Sequence, residues 1–480
     1  MLRIEAPRRR FLPWLLLLAA CAASPADRLS GPADSADWPQ FGWDVASSSA
    51  SPADTGITAA NVASLERRQV RLDGTVDASA IYLHGVTAQG AKHDAFFVTT
   101  SYGKTIAVDA ASGTTLWEFT PPQFQSWAGT RQITNSTPVA DPDRQFLYAA
   151  APDGMLRKLA IADGHVLWAT AITRLPQREK IASPLKLFHG RIVSATGGYI
   201  GDQPPYQGHI AILDAASGKL LHVWNSLCSD RTGLIEPRSC HSTRSAIWGR
   251  SGAVIDPATG NLFVATGNGP YNGRTDWGDS LLELDPDATR VLANYTPADN
   301  THLENRDLDL GSTSPVLLAP GTLAQGGKDR LIRLVSLGEI AGTTAHADHE
   351  LQTVPTPSQR MLFSSPAVWH HGNETWLFAA DSGATAAWTF TGGKLADRWH
   401  NANGGTSPVV AGGLLFVYSP AGGLHVYDPE RGTPIATLEC GRGHWNSPIV
   451  VEGRIALPEG SANAHASTGV LDIWTLAPRK

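Results

Sequence analysis

Between Thr406 and Cys440 the apolar positions come in short runs separated by turn residues, and none is long enough for a helix. The runs are Ser407 to Gly412, Leu414 to Ser419, Leu424 to Gly432 and Thr433 to Cys440, with Gly412-Gly413 and Gly422-Gly423 at the breaks. Brief β-branched and aromatic runs bounded by Gly or Pro predict strands joined by hairpins. Four in succession predict one antiparallel four-stranded meander.

The start of that meander recurs. A small polar residue, then Pro or another small residue, then an apolar run appears at Ser79-Ala80, Ser136-Thr137-Pro138, Ala182-Ser183-Pro184 and Arg250-Ser251-Gly252. It appears again at Thr313-Ser314-Pro315, Ser364-Ser365-Pro366, Thr406-Ser407-Pro408 and Asn446-Ser447-Pro448. Eight copies about 40 to 70 residues apart predict an all-β fold, an eight-bladed β-propeller of four-stranded antiparallel blades. The third strand tends to end in Asp, followed by Gly and then Trp, as in Asp109, Gly113 and Trp117, in Gly164 and Trp168, and in Asp214, Gly218 and Trp224. Trp117 and Trp168 are expected to pack one blade against the next. The last copy stops one strand short, and residues 65–72 precede the first copy as a spare strand. Pairing the two closes the ring and removes its open edge. Residues 37–480 are therefore read as one propeller domain.

Composition agrees with this pattern: 47 Gly, 32 Pro and 15 Trp against 3 Met and 17% charged residues suit turn-rich β-structure. No apolar run of 18 residues follows the N-terminus, which excludes a polytopic helical membrane protein. Residues 1–20 read as a signal peptide, with a basic start, an apolar run from Phe11 to Ala20 and small residues before Cys21. Leu18-Ala19-Ala20-Cys21 resembles a bacterial lipobox, which implies lipidation at Cys21, and Ala22 in place of Asp favours the outer membrane of a Gram-negative cell. Arg8-Arg9-Arg10-Phe11-Leu12 is read equally as a twin-arginine signal or as an ordinary basic n-region. Residues 21–36, rich in Ala, Ser, Pro and Gly, are expected to be a flexible tether. Four of the 38 basic and one of the 44 acidic side chains fall in the first 20 residues, so the remainder carries a net charge near −9. That balance disfavours nucleic acid as a partner, and any membrane attachment is expected through lipid alone. In an oxidising periplasm Cys228 and Cys240 are placed to close a disulfide loop of about a dozen residues, leaving Cys440 as a small buried hydrophobe.

The opening Asp37-Trp38-Pro39-Gln40-Phe41-Gly42-Trp43-Asp44 and the Asp/Gly/Trp repeat resemble the quinoprotein propeller superfamily, whose enzymes bind pyrroloquinoline quinone (PQQ) with Ca²⁺ or a lanthanide. The resemblance spans nearly the whole chain after the tether. It implies, in chain order, Trp248 under a quinone ring, Asn268 as a metal ligand, Asp307 as catalytic base and metal ligand, and Lys328 at the quinone oxygens. Asp309 matches the extra carboxylate of the lanthanide-using members, and Arg131 is a candidate for a PQQ carboxylate. These residue types suit the chemistry. Carboxylates two apart on a strand face one side and repel unless a cation lies between them, and hard oxygen ligands suit Ca²⁺ or a lanthanide.

Two departures accompany the match. Tyr199 stands where the family's upstream Glu ligand is expected, with Asp202 nearby as a substitute. Residues 131–138 replace the adjacent Cys-Cys pair that many members lay over the quinone. The resemblance implies an alcohol dehydrogenase passing electrons to an external acceptor. The alternative is a scaffold like the propeller lipoprotein of outer-membrane barrel assembly, which binds a protein partner without a cofactor.

Overall fold

The computed structural model describes Met1, Leu2 and residues 36–201 and 203–476; Cys21, the remainder of the signal and tether sequences and Asp202 lie outside the described residues. Eight antiparallel sheets of four strands follow one another along the chain. In the seventh blade the strands are Val409–Ala411, Leu414–Tyr418, Leu424–Tyr427 and Pro434–Leu438, matching the four apolar runs of that segment. The ring closes as the sequence pattern predicts: Glu66–Leu72 pairs antiparallel with Gly469–Thr475, Glu66 opposite Thr475 and Leu72 opposite Gly469. Among the described residues no helix is long and apolar enough to cross a membrane.

The repeated small polar residues meet near the ring axis. Ser79 Oγ lies 2.6 Å from Ser447 Oγ, and Ser251 Oγ 2.5 Å from Ser365 Oγ. Ser251 N donates to Ser314 Oγ, and Ser365 N to Ser407 Oγ. A buried hydroxyl needs a partner, and other blades supply it, adjacent for Ser79 with Ser447 and two apart for Ser251 with Ser365. This is the physical reason for the repeat. Between blades, Trp117 lies over Gly164, where an added Cβ would meet the ring at 2.5 Å, and its Nε1 donates to Ile161 O at 2.8 Å. Trp168 lies over Gly218 in the same way, and Trp399 over Gly432.

The segment ahead of the first blade does more than introduce it. Its residues bond to the inner strands in ring order. Trp38 N donates to Tyr82 O, and Pro39 O accepts from Ala140 N. Phe41 O accepts from Lys186 Nζ, and Val45 O from Ile255 N. Ser48 O and Ser49 O accept from Val368 N and Val410 N, and Thr55 O from Gly453 N. Ala50–Ser51 adds a short parallel strand to Val409–Ala411. Seven of the eight blades are thus tied to one strap of chain.

Other additions have no counterpart in the repeat. Glu179–Ile181 pairs with Arg191–Gly198 in the third blade, and the short helix Asn300–Arg306 stands between the fourth and fifth blades.

Candidate active site

Residues ahead of several inner strands line a cavity of about 950 Å³. Asn135, Lys180, Trp248, Arg250, Phe363 and Trp445 all stand one to three places ahead of a repeated Ser or Thr. The strap bonds to the same strands about five residues further on, which at 3.3 Å per residue is roughly 16 Å away along the axis. It therefore lies across the far end of the same strands.

One end of the cavity is acidic. Asn268 N donates to Asp309 Oδ1 at 2.7 Å, and Asn268 Nδ2 donates to Asp307 Oδ1 at 2.7 Å. Lys328 Nζ lies between the two carboxylates, 3.0 Å from Asp307 Oδ1 and 2.7 Å from Asp309 Oδ2, and 5.5 Å from the centre of the Trp248 ring. The pair does not sit on a strand, as its spacing suggested. Asp307 ends the helix Asn300–Arg306 in left-handed backbone, φ 55°, with Leu308 N reaching back to Leu303 O, and Asp309 follows in a turn. The two carboxylates are gathered by Lys328 rather than by a β pleat. Their environments differ: the Asp307 side chain is 68% exposed and that of Asp309 9%. Burial pushes Asp309 above the usual carboxylate range against the opposing charge of Lys328. Burial alone would lower the Lys328 ammonium, but Asp309 and Asp307 outweigh it and hold it up. Asp279 stands behind them, buried, accepting Leu310 N at 3.0 Å; burial and the Asp309 charge push it well up.

The other end is basic. Arg250 is 3% exposed, its Nη2 donates to Trp445 O at 3.2 Å, and its Nε is buried with no partner. Burial pushes Arg250 down to about 10 and the cavity-lining Lys180 down to about 8. His444 also lines this end, its Nδ1 2.8 Å from the buried carboxylate of Asp77. Between the ends lies an aromatic run, with Trp248 6.1 Å from Phe363 and Phe363 5.5 Å from Trp445.

The structure thus brings Trp248, Asn268, Asp307, Asp309 and Lys328 together in one cavity. Arg131 is not brought there: it lies in an exposed turn, and its stretch reaches the cavity through Asn135, after the chain has buried Ile133. Tyr199 lines the cavity but is packed with Tyr102 and Trp127, its hydroxyl donating to Pro176 O at 2.7 Å. The carboxylate that lines the cavity in addition to the Asp pair is Glu304, on the short helix and 4.0 Å from Arg244 Nη1. Cys228 and Cys240 form a disulfide within the connection that carries Arg244 and Ala246 to the cavity. Cys440 is a free, partly buried thiol accepting Gly423 N at 3.1 Å. Lys180, Arg250, Glu304, Phe363, His444 and Trp445 were missed. For all but Glu304, reading the places just ahead of each repeated Ser across all eight copies would have found them.

Comparison with known proteins agrees with the propeller fold. The family described as outer membrane protein assembly factor BamB matches residues 51–233. A quinohemoprotein alcohol dehydrogenase of Comamonas testosteroni is 26% identical over 66% of this chain and 46% of its own length. The quinohemoprotein alcohol dehydrogenase ADH IIB of Pseudomonas putida is 27% identical over 94% of this chain and 79% of its own. The chain thus spans less than half of the first relative and about four fifths of the second. Among solved structures, the Comamonas testosteroni enzyme superposes with a TM-score of 0.68 at 16% identity, covering 93% of this chain and 81% of that one. A europium-containing methanol dehydrogenase gives 0.65 at 14% identity, covering 92% and 98%. BamB from Moraxella catarrhalis gives 0.54 at 13% identity, covering 87% and 99%. The chain is thus an eight-bladed β-propeller similar in fold to the quinohemoprotein alcohol dehydrogenases, and similar to them in sequence at 26 to 27% identity.

Proposed function

We propose that the chain is a quinoprotein dehydrogenase that oxidises an alcohol with PQQ and a bound cation, and passes the electrons to a separate acceptor. The observation that carries this is the acidic cluster beside Trp248. Asn268 Oδ1 is buried there with no partner, next to the carboxylates of Asp309, Asp307 and Glu304. An all-oxygen donor set with one orphaned amide oxygen fits a hard cation, Ca²⁺ or a lanthanide. The aromatic run fits a flat ring system, and Lys180 and Arg250 fit its carboxylates. What such a cofactor supplies when bound is hydride acceptance, with the cation as Lewis acid. The chain's part is to position and to move a proton. Asp307, exposed to the cavity and held by Asn268 and Lys328, takes the substrate hydroxyl proton. Lys328, hydrogen-bonded to Asp307, supplies positive charge where negative charge develops.

The scaffold reading draws on the BamB match, but that match ends at residue 233, before Asn268, Asp307 and Lys328 begin. Attachment through lipid at Cys21 in the periplasm, on the outer membrane, completes the proposal. Changing Cys21 to Ser should release the protein from membranes. The deciding experiment is titration of the purified protein with PQQ in the presence of Ca²⁺ or a lanthanide, followed by tryptophan fluorescence, then dye reduction over an alcohol panel. Saturable, cation-dependent binding and turnover are expected; their absence would leave the scaffold.

A further inference from the structure

The basic end of the cavity holds an arrangement that the sequence motifs did not announce. Asp77, just ahead of the first blade and fully buried, accepts three hydrogen bonds: from Trp445 N at 2.8 Å, from Ala462 N at 3.0 Å and from His444 Nδ1 at 2.8 Å. Those contacts hold it below the usual carboxylate range in spite of burial, so it remains an anion. An ionised Asp77 fixes His444 with its proton on Nδ1. The other nitrogen, Nε2, has no protein partner and is not buried, so it opens on the cavity that His444 lines. Lys180 and Arg250 face the same end, and both feel the Asp77 charge. Further back, Glu459 accepts the backbone N–H of Gly441, three residues before His444, and is engaged by Arg67. One carboxylate thus stands against Lys180, Arg250 and an imidazole, and the buried Arg250 Nε still lacks an acceptor. A buried, unsatisfied guanidinium nitrogen in a cationic pocket calls for an anion.

We infer that His444, held by Asp77, is a proton-linked anchor for a ring-borne carboxylate: binding of the anion at Lys180 and Arg250 draws a proton onto His444 Nε2, which then donates to it. This rests on the reading of the cavity as a quinone site. It makes His444 a residue that sets ligand specificity and couples affinity to pH. The balance is simple: one proton leaves the solvent, His444 becomes imidazolium, and the Asp77 carboxylate stays ionised beside it. Affinity should then fall as pH rises, by up to about tenfold per unit for one linked proton.

The test is calorimetric titration of the full protein at pH 5.5 to 7.0, below the value near 8 at which Lys180 would add a proton of its own, in buffers of different ionisation enthalpy, with two probes: PQQ and benzene-1,3,5-tricarboxylate. Uptake of close to one proton is expected, absent in the variant His444→Gln, with its affinity reduced at low pH and flat across the range. Asp77→Asn, which keeps the shape, should lower the proton uptake as well, and circular dichroism checks that both variants fold. PQQ binding without proton uptake, or an unchanged pH profile in His444→Gln, overturns the anchor while leaving the quinone reading intact. Proton-linked binding of the benzene tricarboxylate alone keeps the anchor and removes the quinone reading. Binding of neither probe removes both.

Discussion

Asp307 and Asp309 are two residues apart, yet one is open to the cavity and the other is buried against Lys328. This difference assigns their roles. Changing Asp307 to Asn keeps its shape and removes the base, which should lower the rate of alcohol oxidation by about 10² to 10⁴ while leaving PQQ affinity within a few-fold. Single-turnover kinetics beside a binding titration separates the two effects. Changing Asp309 to Ala should act on the cation instead, most strongly for a lanthanide. It also deprives a partly buried ammonium of a charged hydrogen bond, at a cost of about 1.5 to 3 kcal/mol read by urea unfolding. At this scale the sequence was half legible. The chain order Trp248, Asn268, Asp307, Asp309, Lys328 named five residues that do converge. It could not name Glu304 or the Asp77 to His444 pair, because Asp77 and His444 are 367 positions apart and meet only when the ring closes. Nor could it show that a helix end and a lysine, rather than a strand, gather the carboxylates.

Between blades the Asp/Gly/Trp grammar has a steric meaning. Asp109 holds its turn by accepting Ser112 N, and its backbone carbonyl accepts Gly113 N; Asp214 does the same for Ser217 and Gly218. Gly164 and Gly218 then present a bare surface on which Trp117 and Trp168 of the preceding blades lie, whereas Gly113 faces Val70 and Arg68 of the closing strand. At Gly164 the requirement is double, since φ is 76° and a Cβ would press into Trp117 at 2.5 Å. Gly164→Ala should therefore destabilise by about 2 to 4 kcal/mol, combining left-handed strain with overpacking. Trp117→Ala should cost about 3 to 5 kcal/mol. The double variant should lose less than the sum, because the small side chain removes the clash. Denaturant midpoints of the three variants check this, and strict additivity would refute the stacking argument. The blades were legible because local turn chemistry and strand pattern agree in each copy. The strand Glu179–Ile181 and the helix Asn300–Arg306 were not, since each occurs once and no repeat announces it.

The whole ring depends on one seam. Glu66–Leu72 completes the eighth blade, so the fold closes only when residues some 400 positions apart pair. At that seam Arg67 bonds Asp472 through Nε at 2.9 Å and Nη2 at 2.8 Å, and Glu459 at 2.9 Å. Asp472 is fully buried, and burial together with the neighbouring Glu459 carboxyl pushes it up to about 7. A carboxyl raised in the folded state binds its proton more tightly there than in the unfolded chain. Its stabilising contribution is therefore complete below the unfolded value near 4 and is lost as pH rises through about 7. Stability of the closed ring should accordingly decline between about pH 4 and pH 7 and level off above that, with a slope of no more than about 1.4 kcal/mol per unit for one proton. Asp472→Asn cannot ionise and should flatten that slope while keeping the strand pairing of Gly469–Thr475. Thermal unfolding of both proteins across this range measures it. Because the strap from Trp38 to Thr55 ties seven blades to the same ring, opening at the seam should loosen the far end of the inner strands as well. Hydrogen exchange at alkaline pH should then rise first in Glu66–Leu72 and in the strap, and later in the blade interiors. An unchanged slope in Asp472→Asn would place the pH sensitivity elsewhere in the ring.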